Sequence, residues 1–437
     1  MVALPALALL LCAAPQAQST DPLQNEPAPA VVRSLRLLRD SRNKDAIPQE
    51  ELLQRLRQDV SAAHPALVDL LVAGRIPATR EEESVQTLSV PQRDTLLEVF
   101  GSLSGSSLRS EVERLLEPEE PELMARAVAM RLITLGAGSN DLSQVFELAT
   151  PAEEPRVEAA LADALEWSIE YLLGTEPAAT RRRLQSLAGR GSSLLLPSIL
   201  RALGDDGDPA GLQVLLPIVE RHTDLRVLAF AQARRMGPSG DEDLDQRFTS
   251  FLRGHLGTAE PKLARSAALV LGEFSDPGSV EQLIELLGGP AASSEAHWAL
   301  GRISGLGFSL DQDRWKHWYK KEVEFFERSY DTCLRNLHGP HPGRAVEAIR
   351  ELSRHRLYRH QVAVELAIAL RQSAPARRRI LCNALEAMGS RPSAASLVPM
   401  LDDSDPVVVE AALRALKAVT ELNLPPESEA WNAAIAS

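Results

Sequence analysis

The stretch "DDSDPVVVEAALRAL", residues 402–416, opens with three aspartates in four positions and closes with a regular apolar pattern. The apolar residues recur at intervals of three and four, which places them on one face of an α-helix. They are Val409, Ala412, Leu413, Leu416 and, just beyond the quoted stretch, Val419. The pattern predicts a buried helix face and leaves open what the aspartates do.

Two interpretations of Asp402, Asp403 and Asp405 are open: a divalent-metal site and a helix start. A calcium loop of the EF-hand type requires acidic residues at alternate positions, a central Gly and a distal Glu, and this stretch does not supply that set. Asp405 is followed by proline, as are Asp208 and Asp276. Asp accepts hydrogen bonds from the free N–H groups of a first turn, and Pro fits that turn because it has no N–H. We therefore predict helix N-caps at these Asp-Pro pairs rather than a metal site.

Variants of the same apolar pattern recur along the chain, which indicates internal repeats. A helix rich in small residues, here called helix B, recurs at residues 157–161, 225–237, 263–274, 295–305, 378–389 and 409–413. A short Leu/Val-rich helix, here called helix A, recurs at residues 211–220, 278–289 and 393–403. The alternation of A and B helices, together with an aromatic content of only 4%, predicts an all-α chain.

This alternation resembles the HEAT-repeat family, in particular its short bacterial HEAT-like type. The resemblance is clearest over residues 207–305 and 340–422 and weaker over residues 90–203. It implies an α-solenoid, in which HEAT-like helix pairs stack into a right-handed superhelix with a concave face. Each pair buries little surface alone and gains stability by stacking on its neighbours.

The predicted domain organisation follows from these repeats. In chain order the segments are a secretory signal peptide (1–19), a Pro/Ala-rich polar linker (20–30), a helical N-terminal region that either contains degenerate repeats or precedes them (31–90), HEAT-like repeats (91–305), an aromatic and basic inter-repeat segment (306–337), further HEAT-like repeats (338–422) and a C-terminal cap that bears a tryptophan (423–437). The cap is inferred from a duplication.

The pattern around Trp315 returns 116 residues later around Trp431, with eight positions at one constant offset. Both copies leave a helix B, cross a loop and enter a short helix with an acidic cap. We expect each tryptophan to fold back over the apolar end of the preceding helix pair. Stacking of a ligand on Trp315 and Trp318 is the alternative.

Charge is unevenly distributed along the chain. The formal net charge of −13 argues against a general nucleic-acid-binding protein, because such proteins carry an excess of Lys and Arg. Residues 302–379 nevertheless contain 16 Lys and Arg against 9 Asp and Glu. In the turn "SRHRLYRH" the candidate partner-binding residues are Arg354, Arg356, Tyr358 and Arg359, which we expect a loop to display to an acidic patch of a protein partner. A merely solvated helix face is the alternative.

The N-terminus, "MVALPALALLLCAAPQAQST", has an apolar stretch followed by small residues, which is typical of a secretory signal. It predicts an exported protein, periplasmic or secreted. Lipid attachment at Cys12 is the less favoured alternative, because Leu11 stands where such signals have a small residue. No stretch reaches the roughly 20 apolar residues that cross a bilayer, so no membrane span is predicted. Cys333 and Cys382 are predicted to be small buried hydrophobes, and a single bridge between them is left open.

The common catalytic motifs are absent from the sequence, including GxSxG, HExxH, the P-loop and GxGxxG beside a strand. His355 and His360 are five residues apart and do not share a helix face. We therefore predict no catalytic activity, cofactor or metal, and a non-catalytic scaffold that mediates protein–protein interaction. Two alternatives stay open: an enzyme or enzyme subunit of the lyase type that some HEAT-like proteins assist on bilin pigments, and a structural cell-envelope protein without a specific ligand.

Overall fold

The computed structural model describes residues 28–41, 47–77, 85–150, 158–188, 193–290 and 292–436. The predicted signal peptide and most of the predicted linker lie outside these ranges. The chain divides into two compact units, residues 1–236 and 237–437, here called unit 1 and unit 2. Within the described ranges, no helix is both long enough and apolar enough to cross a membrane.

Unit 1 is built from helices and one small antiparallel hairpin. The hairpin strands, β1 (Arg75–Ile76) and β2 (Gln86–Thr87), lie in the region that the sequence predicts as helical. The helices are α1 (Pro29–Asp40), α2 (Gln49–Ala73), α3 (Val90–Phe100), α4 (Gly105–Leu116), α5 (Leu123–Ala137), α6 (Leu142–Ala149), α7 (Ala159–Thr175), α8 (Pro177–Ala188), α9 (Leu196–Asp206), α10 (Leu212–Arg221) and α11 (Arg226–Met236).

All of the regular secondary structure in the described residues of unit 2 is helical. Its helices are α12 (Glu242–Arg253), α13 (Pro261–Glu273), α14 (Val280–Leu287), α15 (Ser293–Ser304), α16 (Gln312–Arg328), α17 (Tyr330–Leu337), α18 (Pro342–Leu352), α19 (Arg359–Arg371), α20 (Pro375–Met388), α21 (Ala394–Leu397), α22 (Pro406–Thr420) and α23 (Ser428–Ala436). A 3₁₀ segment, Val398–Asp402, continues α21 towards α22.

In each unit the predicted A and B helices form within a few residues of where the sequence places them, except that the predicted helix A at 393–403 is α-helical only over Ala394–Leu397 and continues as the 3₁₀ segment. The B helices α7 and α11 pack in series with α5 and α9, which the sequence did not single out and which take the B position, while α13 packs on α15 and α20 on α22 in unit 2. The A helices α10 and α14 cover α11 and α15, and α19, also not singled out, covers α20 in the same way. This stacking is that of an all-α solenoid of HEAT-like helix pairs, so the predicted fold class is confirmed. The right-handed sense of the superhelix stays a prediction.

Ion pairs that the sequence did not reveal link neighbouring B helices. In unit 1 they are Arg131–Asp163 (2.5 Å), Glu166–Arg201 and Asp205–Arg235 (2.5 Å), and in unit 2 they are Glu273–Arg302 (3.2 Å) and Glu386–Arg414 (2.9 Å). Most of these side chains are partly exposed, and such pairs contribute about 0–1 kcal/mol each. The buried Leu, Ala and Val side chains therefore supply most of the stability of the stack.

Two of the three predicted Asp caps are confirmed. Asp405 accepts a hydrogen bond from the N–H two residues later at 3.0 Å, at the start of α22, and Asp208 does the same at 2.8 Å before α10. The cap predicted at Asp276 is wrong. Its buried carboxylate instead accepts two hydrogen bonds of 2.9 Å from the guanidinium of Arg253. A bidentate charged pair is stronger than a bond to a neutral N–H, so it takes the carboxylate away from the helix start.

The three aspartates of the opening stretch have separate partners. Asp402 accepts a hydrogen bond from the hydroxyl of Ser428 at 2.6 Å. Asp403, with a side chain 1% exposed, lies 2.9 Å from the guanidinium of Arg378. With Asp405 at the N-cap, each carboxylate serves a different group, and the helix-start interpretation is confirmed. In the part of the chain that the structure describes, no three His, Cys, Asp or Glu side chains form a group that could hold a metal ion.

The duplicated tryptophans occupy equivalent positions. Trp315 and Trp431 are both 0% exposed. Each indole N–H donates to a carbonyl six residues earlier, at Ser309 (3.0 Å) and Pro425 (2.7 Å) respectively. Trp318 is half-buried, and its ring meets that of Trp315 edge-on with 5.4 Å between the centroids. The packing interpretation is therefore confirmed for Trp315.

The two cysteines of the described chain are free thiols. Cys382 is 0% exposed, and burial is the main reason that the pKa of its thiol rises to about 12. Burial also raises the pKa of Cys333, which is half-buried. The prediction of a small buried hydrophobe is thus confirmed for Cys382, and the bridge left open from the sequence is not formed.

One position of the duplication is strained in the second copy. Gly305 ends α15 with φ 69°, and Glu421, at the equivalent position, ends α22 with φ 61°. A left-handed backbone suits glycine but costs other L-residues about 1–2 kcal/mol. The second copy therefore places an unfavourable residue at a helix end.

Replacing Glu421 with glycine is expected to raise the free energy of unfolding of unit 2 by about 0.5–1 kcal/mol, because the gain from relieved strain exceeds the added freedom of the unfolded chain. Thermal unfolding followed by circular dichroism measures the change. The matched control is Gly305→Ala, which should destabilise, since a Cβ there also lies 3.3 Å from Nη1 of Arg359. A lower melting temperature for Glu421→Gly would contradict this account.

Candidate protein-interaction surface

The turn between α18 and α19 contains or adjoins all four candidate partner-binding residues. Arg354 and Tyr358 are exposed, Tyr358 by 36%. Arg356 and Arg359 are half-buried. The prediction that a loop displays all four residues is therefore correct for Arg354 and Tyr358 and wrong for Arg356 and Arg359.

Arg359 begins α19, and its guanidinium contacts the ends of two other helices. Its Nε donates to the carbonyl of Ile303 (2.9 Å) and its Nη2 to that of Arg302 (2.8 Å), both at the end of α15. Its Nη1 donates to the carbonyls of Met388 and Gly389, each at 3.0 Å, at the end of α20. The last carbonyls of a helix lack partners within it and carry partial negative charge. Arg359 therefore joins the ends of α15 and α20.

The position of Arg359 affects its acidity. Burial, followed by repulsion from Arg356 and Arg302, lowers the pKa of Arg359 to about 10, so the side chain is still protonated at neutral pH. Burial likewise lowers the pKa of Arg356, whose Nη1 donates to the carbonyl of Ala387. Both guanidiniums are withdrawn from solvent because helix C-termini supply unpaired carbonyls that bind them.

A buried carboxylate holds the turn against α16. Glu322 is 3% exposed, and its Oε2 accepts hydrogen bonds from the backbone N–H groups of Arg356 (2.7 Å) and Leu357 (2.9 Å). Its Oε1 lies 3.2 Å from Nδ1 of His355. The imidazole of His355 stacks on the ring of Phe325, with 3.5 Å between centroids. These contacts fix the backbone of the turn.

The aromatic residues concentrated in this part of the sequence lie together beside the turn. The ring of Tyr358 meets Phe326 edge-on at 4.7 Å between centroids, and Phe326 in turn contacts Tyr330 at 5.1 Å. Tyr319 also lies near Tyr358: the pKa of its phenol is raised by burial first, then by Glu281 and Tyr358. The exposed ring of Tyr358 thus packs on other aromatic rings on its buried side.

We call Tyr319, Phe326, Arg354 and Tyr358 the aromatic–basic surface. The guanidinium of Arg354 pairs with Glu351 at 3.1 Å but stays 72% exposed. Two further cations, Lys320 and Lys321, are exposed on α16 directly after Tyr319. An exposed aromatic ring among cations is suited to contact with an acidic protein surface.

Histidines near this surface take part in internal hydrogen bonds. Nε2 of His338 lies 3.2 Å from a carboxylate oxygen of Glu365, and Nδ1 of His360 lies 2.9 Å from the hydroxyl of Ser390. Burial, followed by repulsion from Arg359 and Arg302, lowers the pKa of His360 to about 4. His360 is therefore neutral at pH 7 and serves as a hydrogen-bonding side chain.

Sequence reasoning missed a second surface, which lies in unit 1. Helices α3, α5 and α7 contribute most of the lining of a groove of about 520 Å³ that includes Trp167. In "ALEWSIEYLL", residues 164–173, Trp167 and Tyr171 have the spacing of four that is also typical of a buried stripe. That spacing alone does not distinguish a groove-lining aromatic residue from a core residue.

Comparison with known proteins finds similarity among solved structures and none among family models or curated proteins. One of these solved structures, described as "Crystal structure of Kap121p", is similar at 13% identity and a TM-score of 0.29. The similarity covers 90% of this chain and 43% of that one, so this chain spans less than half of that protein's length. The repeat architecture follows from the packing of the helices of this chain.

Proposed function

We propose that this chain is a member of the HEAT-repeat family that acts as a non-catalytic scaffold and binds a protein partner through the aromatic–basic surface. The observation that carries the proposal is Tyr358, an exposed ring that rests on Phe326 in the same turn as the exposed side chain of Arg354. Aromatic and Arg side chains are the commonest anchors of protein interfaces. Because Glu322 already fixes the turn, binding loses little conformational entropy there.

The partner's contacted patch is acidic under this proposal. Residues 302–379 carry a net charge of +7, whereas the rest of the chain has 31 Lys and Arg against 51 Asp and Glu. Attraction between opposite charges steers association, and salt screens this attraction over a Debye length of roughly 8 Å at physiological ionic strength. Affinity for the partner should therefore fall as salt is added.

The double variant Tyr358→Ala with Arg354→Glu is expected to reduce partner binding by at least about tenfold, because it removes an anchor ring and reverses a flanking charge. Affinity capture from the native host, with partners identified and quantified by mass spectrometry, measures the loss. The free energy of unfolding should fall by only about 0.5–1.5 kcal/mol, since Arg354 is 72% exposed and Tyr358→Ala loses the edge-on contact with Phe326.

Lys262→Glu is the matched control for this charge change. Lys262 is exposed on α13, in the same unit and away from the turn in sequence. The Lys262→Glu variant should leave the yield of captured partners unchanged. If the double variant captures the same partners in the same yield as Lys262→Glu, the aromatic–basic surface is only a solvated face.

Export is proposed on the sequence of residues 1–19, which lie outside the described residues. N-terminal sequencing of protein purified from the native host should find these residues removed. An intact Met1 in a cytoplasmic fraction would contradict export.

A further inference from the structure

The groove in unit 1 has an apolar floor. Leu71, Leu97 and Val128 form this floor, and each is at most 5% exposed. Val90 lines one edge and is 65% exposed. Apolar side chains of a partner that covered Val90 and packed on this floor would remove the surface of Val90 and their own surface from water, at about 25 cal/mol for each Å². The groove can therefore bind apolar side chains as well as a charged one.

Arg131 fixes the wall of the groove that α7 forms. Its Nη1 donates to the carbonyl of Ala127 at 3.2 Å and its Nη2 to Oδ2 of Asp163 at 2.5 Å. The guanidinium carbon lies 5.9 Å from the ring centroid of Trp167. Trp167 stacks on Tyr171, with 5.3 Å between centroids and 15° between planes, and Tyr171 is 37% exposed. The wall thus presents the ring of Trp167, and the exposed ring of Tyr171 lies against it just outside the groove lining.

The lining of the groove has an excess of negative charge. Its ionisable residues are Arg93, Arg131, Asp94, Asp163, Glu166 and Glu170. Asp163 pairs with Arg131 and Glu166 with Arg201, whereas no cation pairs with Glu170 among the described residues. Burial, followed by the nearby carboxylates of Asp205, Glu166 and Asp163, raises the pKa of Glu170. An added cation at this position would relieve the repulsion.

Glu170 and the aromatic pair are suited to one cation. Residues 167, 170 and 171 are three and four apart on α7, a spacing that brings side chains to one side of a helix. Aromatic faces attract Lys and Arg cations within about 6 Å of the ring centroid. A carboxylate on the same side adds charge attraction to that contact.

We propose that this groove binds a basic segment of a second protein, with a Lys or Arg side chain at the rim where Trp167 meets the exposed ring of Tyr171 and its charge facing Glu170. Apolar residues on either side of this cation cover the floor at Leu97 and Val128. An acidic segment would meet the repulsion of the four lining carboxylates, and a purely apolar one would leave Glu170 desolvated without a partner. The site belongs to unit 1 and does not depend on the function proposed for the aromatic–basic surface.

Fluorescence anisotropy on the full chain tests the proposal. The probes are a panel of short fluorescein-labelled peptides with a central Lys or Arg between Leu or Val residues, and matched peptides with a central Glu. We expect basic peptides to bind at least about tenfold more tightly than their Glu counterparts. Glu170→Lys should weaken basic-peptide binding by about tenfold, and Tyr171→Ala by about threefold.

Glu147→Lys is the matched control, because it makes the same charge change at an exposed position of α6 outside the groove lining. It should leave the Kd within about twofold of the unaltered chain. A photo-crosslinker beside the central Lys should attach to α3, α5 or α7, as located by peptide mass spectrometry.

Four results would overturn the proposal: no binding by any basic peptide, equal binding of the Glu peptides, equal loss for Glu170→Lys and Glu147→Lys, or cross-links confined to other helices. The Tyr358→Ala, Arg354→Glu variant should bind the basic peptides normally. Failure of this proposal is therefore distinguishable from failure of the proposed function.

Discussion

Replacing Trp315 with alanine is expected to lower the free energy of unfolding of unit 2 by about 3–5 kcal/mol. The indole is 0% exposed, its ring centroid lies 4.9 Å from that of Phe308, and its N–H donates to the carbonyl of Ser309. Truncation leaves a cavity and also a carbonyl without its donor. Urea unfolding followed by circular dichroism measures the loss.

Two further variants separate packing from hydrogen bonding at this site. Trp315→Phe keeps a ring but removes the donor, so it should cost less, about 1–3 kcal/mol. Trp318→Ala removes a half-buried ring of the same type and should cost less than Trp315→Ala. If Trp318→Ala proves equally damaging, Trp315 is not the packing centre of this loop. Trp431→Ala should repeat the effect in the second copy.

Replacing Arg359 with alanine is expected to cost about 2–4 kcal/mol of unit 2 stability. The change removes four charge-assisted hydrogen bonds and leaves helix-end carbonyls of α15 and α20 without their donor. If Arg359 were an exposed surface charge, as the sequence predicted, the same replacement would cost less than about 0.5 kcal/mol. The two descriptions of Arg359 therefore predict clearly different losses of stability. Thermal and urea unfolding decide between them.

Arg359→Lys and Arg354→Ala are the controls for this experiment. Lysine keeps the charge but lacks the planar fork that reaches both helix ends, so Arg359→Lys should fall between the unaltered chain and Arg359→Ala. Arg354→Ala should stay within about 0.5 kcal/mol, because that side chain is 72% exposed. Equal melting temperatures for Arg359→Ala and Arg354→Ala would show that the bonds to the carbonyls contribute nothing.

The helices and several of their ends could be predicted from the sequence because local rules determine them. The period of the apolar residues in 409–419 follows from the geometry of one helix, and Asp405 caps that helix through a bond to the N–H two residues later. The duplicated pattern around Trp315 and Trp431 also predicted equivalent packing, because the same local sequence forms the same loop.

The candidate site was harder to predict because its contacts join distant parts of the chain. Arg359 lies 56 residues from Ile303 and 29 from Met388, and no local pattern announces those partners. Asp276 likewise pairs with Arg253, which is 23 residues away, and does not cap the helix start as predicted. The groove around Trp167 is lined by residues of four helices, α2, α3, α5 and α7, so the spacing within one of them does not reveal it.

The ion pairs that link neighbouring B helices have a direction, and in unit 1 this direction inverts at α7. Between α5 and α7 the earlier helix supplies the arginine, in Arg131–Asp163. Between α7 and α9 and between α9 and α11 the earlier helix supplies the acid, in Glu166–Arg201 and Asp205–Arg235, and the B-helix pairs of unit 2 have that same order. Repeats from the two sides of α7 are therefore not interchangeable modules, since a graft across this helix would set acid against acid or arginine against arginine. Duplication or shuffling of repeats, by evolution or by design, preserves charge matching only within a run of one polarity.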